Sequence, residues 1–190
     1  MNLRKWFGGK EDDEDVDGLV DLSLEAMKTG YLVDHDLETW EVIGYNSYDY
    51  DGFITREWEL RSGDEVRFLE LAVDDARPEW TLTRAITLGD VEEDVLASIG
   101  AQDEPPETVH FDGRPYTGAE SEAGVQRREA GGAATAEDGG SGREFVAWTY
   151  RSEEGRLLYL VRWGERDLSA YEGQRVEEYQ FTDILPGGRV

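Results

Sequence analysis

A mainly β fold is what the sequence predicts: two related antiparallel β units, barrel-like or sandwich-like, joined by one short helix. Three observations carry that expectation. Over most of the chain apolar and polar residues alternate with period two, the spacing that puts every second side chain on one face of a strand. Clusters of Gly, Asp, Ser and Asn separate these runs, as hairpin turns do. One stretch, 90–99, joins an apolar helical face to a capping signature.

Residues 1–20 form an acidic N-terminal segment expected to be mobile. Its first seven residues set Arg4 and Lys5 beside Leu3, Trp6 and Phe7, a composition suited to a small interfacial anchor. The acidic run 11–17 that follows is repelled by anionic lipid, which favours a plain terminus.

The first β unit covers 21–88. One or two helical turns over 21–29, with Asp21 or Ser23 as N-cap, stop at Gly30. Strands 31–33 and 39–45 follow around a turn at Asp34, His35 and Asp36, and 53–60, 64–73 and 79–86 continue as a meander through turns at 62–64 and 74–78. Residues 89–107 supply helix and linker. Asp90 caps the helix, Glu93 completes the capping box, Val91, Val95, Leu96 and Ile99 form its apolar face, Gly100 ends it, and Pro105 and Pro106 mark the linker.

The second unit covers 108–186. After a strand-like run at 109–117, the stretch 119–142 is rich in Gly, Ala, Glu and Ser, has Val125 as its single large aliphatic residue, and reads as a flexible insertion. The hairpin at 144–163 is the strongest signal in the chain. Val146, Trp148 and Tyr150 alternate with Ala147 and Thr149, Ser152 to Gly155 make the turn, and 157–161 is apolar on both faces, as in a central strand covered on both sides.

The two units share a short pattern. Trp58, Leu60, Arg61 and Ser62, then a turn and an apolar strand, match Trp148, Tyr150, Arg151 and Ser152 followed by the same. With Trp40, Val42, Gly44 and Tyr45 upstream and Leu157, Tyr159, Leu160 and Trp163 downstream, the order of motifs resembles the DUF4178 group of bacterial and archaeal proteins over residues 22–185. The resemblance implies a β-rich fold with no assigned active site. Such genes often sit beside those for PspA-like membrane-stress coiled coils, small membrane proteins and polyamine synthases, which implies an accessory role in envelope maintenance.

Composition narrows the function classes. Forty-four acidic residues against nineteen basic ones leave a net charge of -25, and only Lys5, Lys10 and Lys28 are lysine. At about 1 M salt the Debye length falls to about 3 Å, so this pattern suits a very salty cytoplasm, where repulsion between carboxylates is screened. Binding of nucleic acid requires clustered basic residues and is excluded. The absence of cysteine excludes disulfides, thiolate zinc sites and thiol catalysis. With no apolar run of about twenty residues, the cytoplasm is the expected compartment, and a peripheral membrane location through the N-terminus is the alternative.

Candidate site residues are few. The segment 46–52 sets Asp49, Asp51 and Gly52 at part of a calcium-loop spacing, but Trp58 falls where the bidentate Glu belongs, so no metal is expected. Tyr45, Tyr48 and Tyr50 there, with Trp40, Trp58, Trp148 and Trp163, form the candidate surface for a ligand or for a protein partner, a membrane-associated protein being one expected case. Glu57 and Glu59 point to the face opposite Trp58, about 7 Å apart along a strand, a spacing that glycoside chemistry can use. His35 and His110 lie in unrelated turns and read as surface histidines. The expected function is therefore a non-catalytic binding module without cofactor; the alternatives are a small-ligand carrier in a barrel cavity and a hydrolase using surface carboxylates. An apolar cavity lined by the tryptophans favours the carrier, and an exposed aromatic strip favours the module.

Overall fold

The computed structural model describes residues 22–74, 77–128, 142–164 and 167–187. The expected N-terminal segment lies outside them, as does 129–141 of the expected insertion. Eleven strands form one antiparallel sheet: β1 (Leu32–His35), β2 (Glu38–Tyr50), β3 (Phe53–Ser62), β4 (Glu65–Asp74), β5 (Arg77–Ile86), β6 (Thr108–Phe111), β7 (Arg114–Arg128), β8 (Arg143–Arg151), β9 (Arg156–Trp163), β10 (Asp167–Val176) and β11 (Phe181–Leu185). A single α-helix, α1 (Val95–Gln102), stands among the described residues between β5 and β6.

Closure depends on the two longest strands. The second half of β2 pairs with the second half of β7, Asn46 opposite Arg128 and Asp49 opposite Val125, while β5 pairs with β10. The strands β2, β3, β4, β5, β10, β9, β8 and β7 thereby close into an eight-stranded barrel. The first halves of β2 and β7 instead carry the short hairpin partners β1 and β6, and β11 extends the sheet beyond β1. Thus β1 to β5 and β6 to β10 each run as consecutive neighbouring strands, and they join in one hydrogen-bonded wall at β5–β10 and β2–β7.

The hairpin turns explain the register. Asp36 and Leu37, Asp51 and Gly52, and Asp112 and Gly113 each supply two successive residues with positive φ, the backbone that matches strand twist in a two-residue loop. The first turn is therefore Asp36 and Leu37, and the expected turn residues Asp34 and His35 belong to β1. Likewise 46–50 is strand and only Asp51 and Gly52 turn.

Apolar side chains face outward from the barrel wall, where helical pieces and short strands cover them. On the first half, Trp40, Trp58, Leu60, Leu69, Leu71 and Trp80 pack under Leu24, Met27, Val33 and Phe181. Trp58 Nε1 donates to the Met27 carbonyl at 3.0 Å, tying the first helical turn to the wall. On the second half, Tyr116, Trp148, Tyr150, Leu158 and Leu160 pack under Val91, Val95 and Val109. The Tyr150 hydroxyl donates to the Pro106 carbonyl at 2.8 Å, which anchors the linker. Glu172, 3 % exposed on the same outer face of β10, is bonded by Arg156 and has Arg84 at 3.6 Å.

Two expectations change. The helix begins at Val95, capped by Asp94, whose Oδ1 accepts from Ala97 N at 3.0 Å, and it ends at Asp103 in the left-handed region; Gly100 lies inside it. Asp90 sits in a 3-10 turn, and Glu93 is engaged by His110 instead of closing a capping box. The larger change concerns 119–142: residues 119–128 belong to β7, hydrogen-bonded to β8 on one side and β2 on the other. Their poverty in large side chains reflects a strand whose stability comes from ladder bonds and whose inward face meets a polar interior, so no apolar period announces it.

Candidate functional site

Strand alternation makes the barrel interior the complement of the outer cores. Because Trp58 and Leu60 face outward, Thr55, Glu57 and Glu59 face inward; because Leu69 and Leu71 face outward, Glu70 and Ala72 face inward. The interior holds a cavity of about 310 Å³ lined from all eight strands. One side is aromatic: Phe145 meets Tyr48, Tyr50 and Trp163 with ring centroids 5.6, 5.3 and 5.5 Å apart. Glu79, Arg175, Glu120 and Arg151, all exposed, mark where the cavity meets solvent.

Between them lies a carboxyl pair. Glu57 on β3 and Glu70 on β4 are direct cross-strand partners on the inward face. Glu57 Oε1 accepts from the Tyr48 hydroxyl at 2.8 Å and from Asn46 Nδ2 at 2.9 Å. Asn46 also donates to Glu59 at 3.1 Å, and Arg128 pairs with Glu59 at 3.1 Å. Gln126 Nε2 donates to the Tyr48 hydroxyl at 3.1 Å, so β7 takes part in the network. Glu70 has no hydrogen bond or ion pair among the described residues. Burial pushes Glu57 up to about 7 against its hydrogen bonds, and burial with the charges of Glu57 and Glu122 pushes Glu70 up to about 8. Tyr48, Tyr50, Tyr159 and Tyr171 are all raised, chiefly by burial, and stay neutral. Thr55 is 3 % exposed, and its Oγ1 finds no partner among the described residues.

The structure scatters the residues singled out in the sequence. Trp40, Trp58 and Trp148 are buried in the outer cores, and Tyr45 packs edge-on to Trp58 at 5.3 Å. They form no surface strip, because the helical turns and short strands cover the apolar face of each sheet. Trp163, Tyr48 and Tyr50 do line the interior. Asp49 accepts from Gly52 N at 2.8 Å and pairs with Arg127 at 3.4 Å, while Asp51 occupies a tight turn with φ 55; neither is arranged for metal. His35 is buried and stacked on Phe181 at 4.3 Å, contrary to a surface histidine, and His110 Nδ1 lies 2.6 Å from Glu93. Glu57 and Glu59 share a face as expected, but Asn46 and Tyr48 donate to Glu57 Oε1 while Asn46 and Arg128 hold both oxygens of Glu59.

Glu70, Glu122, Thr55, Tyr159 and Tyr171 went unrecognised in the sequence. Glu70 and Thr55 sit on the polar face of an alternating strand, where a polar residue usually signifies solvent, Glu122 lies in the stretch read as an insertion, and Tyr159 reads as part of an apolar strand. The available signal was 157–161, apolar on both faces: a strand covered on both sides implies that the inner face of its neighbours is covered too.

A family model described as a domain of unknown function, DUF4178, matches residues 28–178. The chain belongs to the DUF4178 family. The match takes in β1 through β10, so the DUF4178 unit includes the whole closed barrel with both of its halves. An uncharacterized protein of Aquifex aeolicus (strain VF5) is 28% identical over 184 residues, covering 97% of this chain and 96% of that protein. No solved structure matches the chain significantly. No helix among the described residues of this DUF4178 member is long and apolar enough to cross a membrane.

Proposed function

We propose that the protein is a non-catalytic binding barrel that holds a small ligand in its interior. The observation that carries this is the cavity of about 310 Å³ inside a closed eight-stranded wall. Barrels of this strand number have room for side chains alone or for one small ligand, and here the interior is left partly open with polar groups converging on it. Trp40, Trp58 and Trp148, expected to display themselves to a partner, pack the outer faces and Trp163 lines the interior, so the reading passes from surface module to carrier. The hydrolytic alternative built on Glu57 and Glu59 is not favoured, because Glu57 Oε1 and both Glu59 oxygens are held by Asn46, Tyr48 and Arg128. Cytoplasmic location, adaptation to high salt and an accessory role in envelope maintenance belong to the same proposal and rest on composition and family resemblance.

Filling the cavity tests it. Ala72 lines the interior, and Ala72→Phe places a ring in that space. Small ligands that raise the melting temperature of the native chain saturably should lose that effect in the variant. A panel of amines, alcohols, carboxylates and sugars that leaves the native melt unmoved, or a ligand response equal in the filled variant, would overturn the reading.

A further inference from the structure

We propose that the ligand of this interior is a small organic cation, an ammonium-bearing molecule of about ten non-hydrogen atoms seated on Glu57 and Glu70 among the tyrosine rings. This rests on the binding-barrel reading. Two carboxyl groups directly opposite on one inward face repel each other unless a proton or a cation lies with them. Glu57 is served only by the neutral donors of Asn46 and Tyr48, and Glu70 by no donor among the described residues. Of the two arginines at the mouth, Arg175 pairs with Glu79 at 3.0 Å and Arg151 is exposed, and neither makes an ion pair with Glu57 or Glu70 among the described residues. An anionic ligand thus meets acid where it needs base.

Polar capacity for a cation is left over. Thr55 Oγ1, without a partner in a residue 3 % exposed, is an acceptor on the same inward face. The faces of Tyr48, Tyr50 and Tyr159 attract an ammonium through their quadrupoles. A hard metal ion is a poorer match, because it requires six or more oxygens, and no cluster of metal-ligating residues occurs among those described. At about 30 Å³ per water, the space holds roughly ten waters, or a ligand of comparable atom count.

Seating a cation displaces the proton that the pair holds when empty. The charged and titratable groups that share the cavity with the pair are Tyr48 and Tyr50 on β2, Glu59 on β3, Glu122 on β7, Tyr159 on β9 and Tyr171 on β10, with Glu79 on β5, Glu120 on β7, Arg151 on β8 and Arg175 on β10 at its mouth. The tyrosines stay neutral across the range used below, so the carboxyl pair sets the proton count. Affinity should rise with pH until both carboxyls are ionised.

Three isosteres separate the possibilities: benzylammonium, benzyl alcohol and benzoate, titrated by calorimetry into the full chain in molar KCl at pH 6 and pH 8.5. Benzylammonium should bind at least about tenfold more tightly than either analogue, a difference of about 1.4 kcal/mol, and more tightly at the higher pH. Glu70→Gln and, as a second variant in case one fails to fold, Glu57→Gln should each remove that preference and flatten its pH dependence. If benzyl alcohol or benzoate binds as well as benzylammonium, the cavity takes ligands but the cation assignment is wrong. If benzylammonium binds Glu70→Gln and Glu57→Gln unchanged, attraction is to the acidic surface and the assignment is again wrong. If none of the three binds while other neutral compounds stabilise the chain, the assignment fails and the barrel reading stands; if nothing binds at all, both fall.

Discussion

Replacing Glu70 by glutamine should make the protein more stable in alkali and leave it unchanged in mild acid. In the folded chain the Glu70 carboxyl keeps its proton up to about 8, because it is buried and faces Glu57 and Glu122. The unfolded chain releases that proton near 4.5, the ordinary value for glutamate. Between those limits the unfolded state binds fewer protons, so stability falls as pH rises. The contribution is fully present below about 4.5, declines through the interval, and is lost above about 8. At 1.36 kcal/mol per unit the displacement has a ceiling of roughly 5 kcal/mol, and water reaching the cavity lowers it to about 2 to 3 kcal/mol. Glutamine has the shape of the protonated acid and no charge to desolvate. Urea midpoints in molar KCl should therefore coincide for native and Glu70→Gln chains at about pH 4 and diverge toward about pH 9, the variant ahead by about 2 kcal/mol. Parallel pH profiles, or a variant destabilised at every pH, would refute the account of Glu70 as a buried and unpaired acid.

Other perturbations probe the wall and the surface. Trp58→Ala removes a fully buried ring and its hydrogen bond to Met27, and should cost about 3 to 5 kcal/mol in urea denaturation. Gly173→Ala would put a methyl 2.2 Å from the Leu82 carbonyl oxygen, a backbone atom that cannot swing aside. It should prise β10 from β5 at a cost of about 1 to 3 kcal/mol, measurable as faster amide exchange in both strands. Thermal melts should climb steadily from tens of millimolar to molar KCl as the repulsion of -25 net charges is screened. Millimolar calcium should add no saturating shift, because Asp49 is committed to Gly52 and Arg127; a calcium shift abolished by Asp49→Ala would reverse that assignment.

What the sequence determined by itself was the class of fold, the strand-rich halves and most hairpins, because these depend on local periodicity and turn chemistry. The alternation around Trp58 and Trp148 and the turns at Ser62 to Asp64 and Ser152 to Gly155 needed no distant partner to be read. The boundaries of α1 moved by a few residues because Asp90 and Asp94 are both competent caps, and Glu93 was drawn off by His110, which lies on another strand. Tertiary structure alone decided which strand face is the inside. Period two separates the Trp58 face from the Glu57 face without saying which one meets water, and here neither does in full: helical turns cover the first, and closure of β2 on β7 encloses the second. That closure turns glutamates that read as solvent-facing into enclosed, half-buried acids with raised pKa. It depends on the 119–128 part of β7, whose small and polar side chains have no apolar period, so its place as a barrel strand comes from hydrogen bonds to residues about eighty positions away and from nothing local.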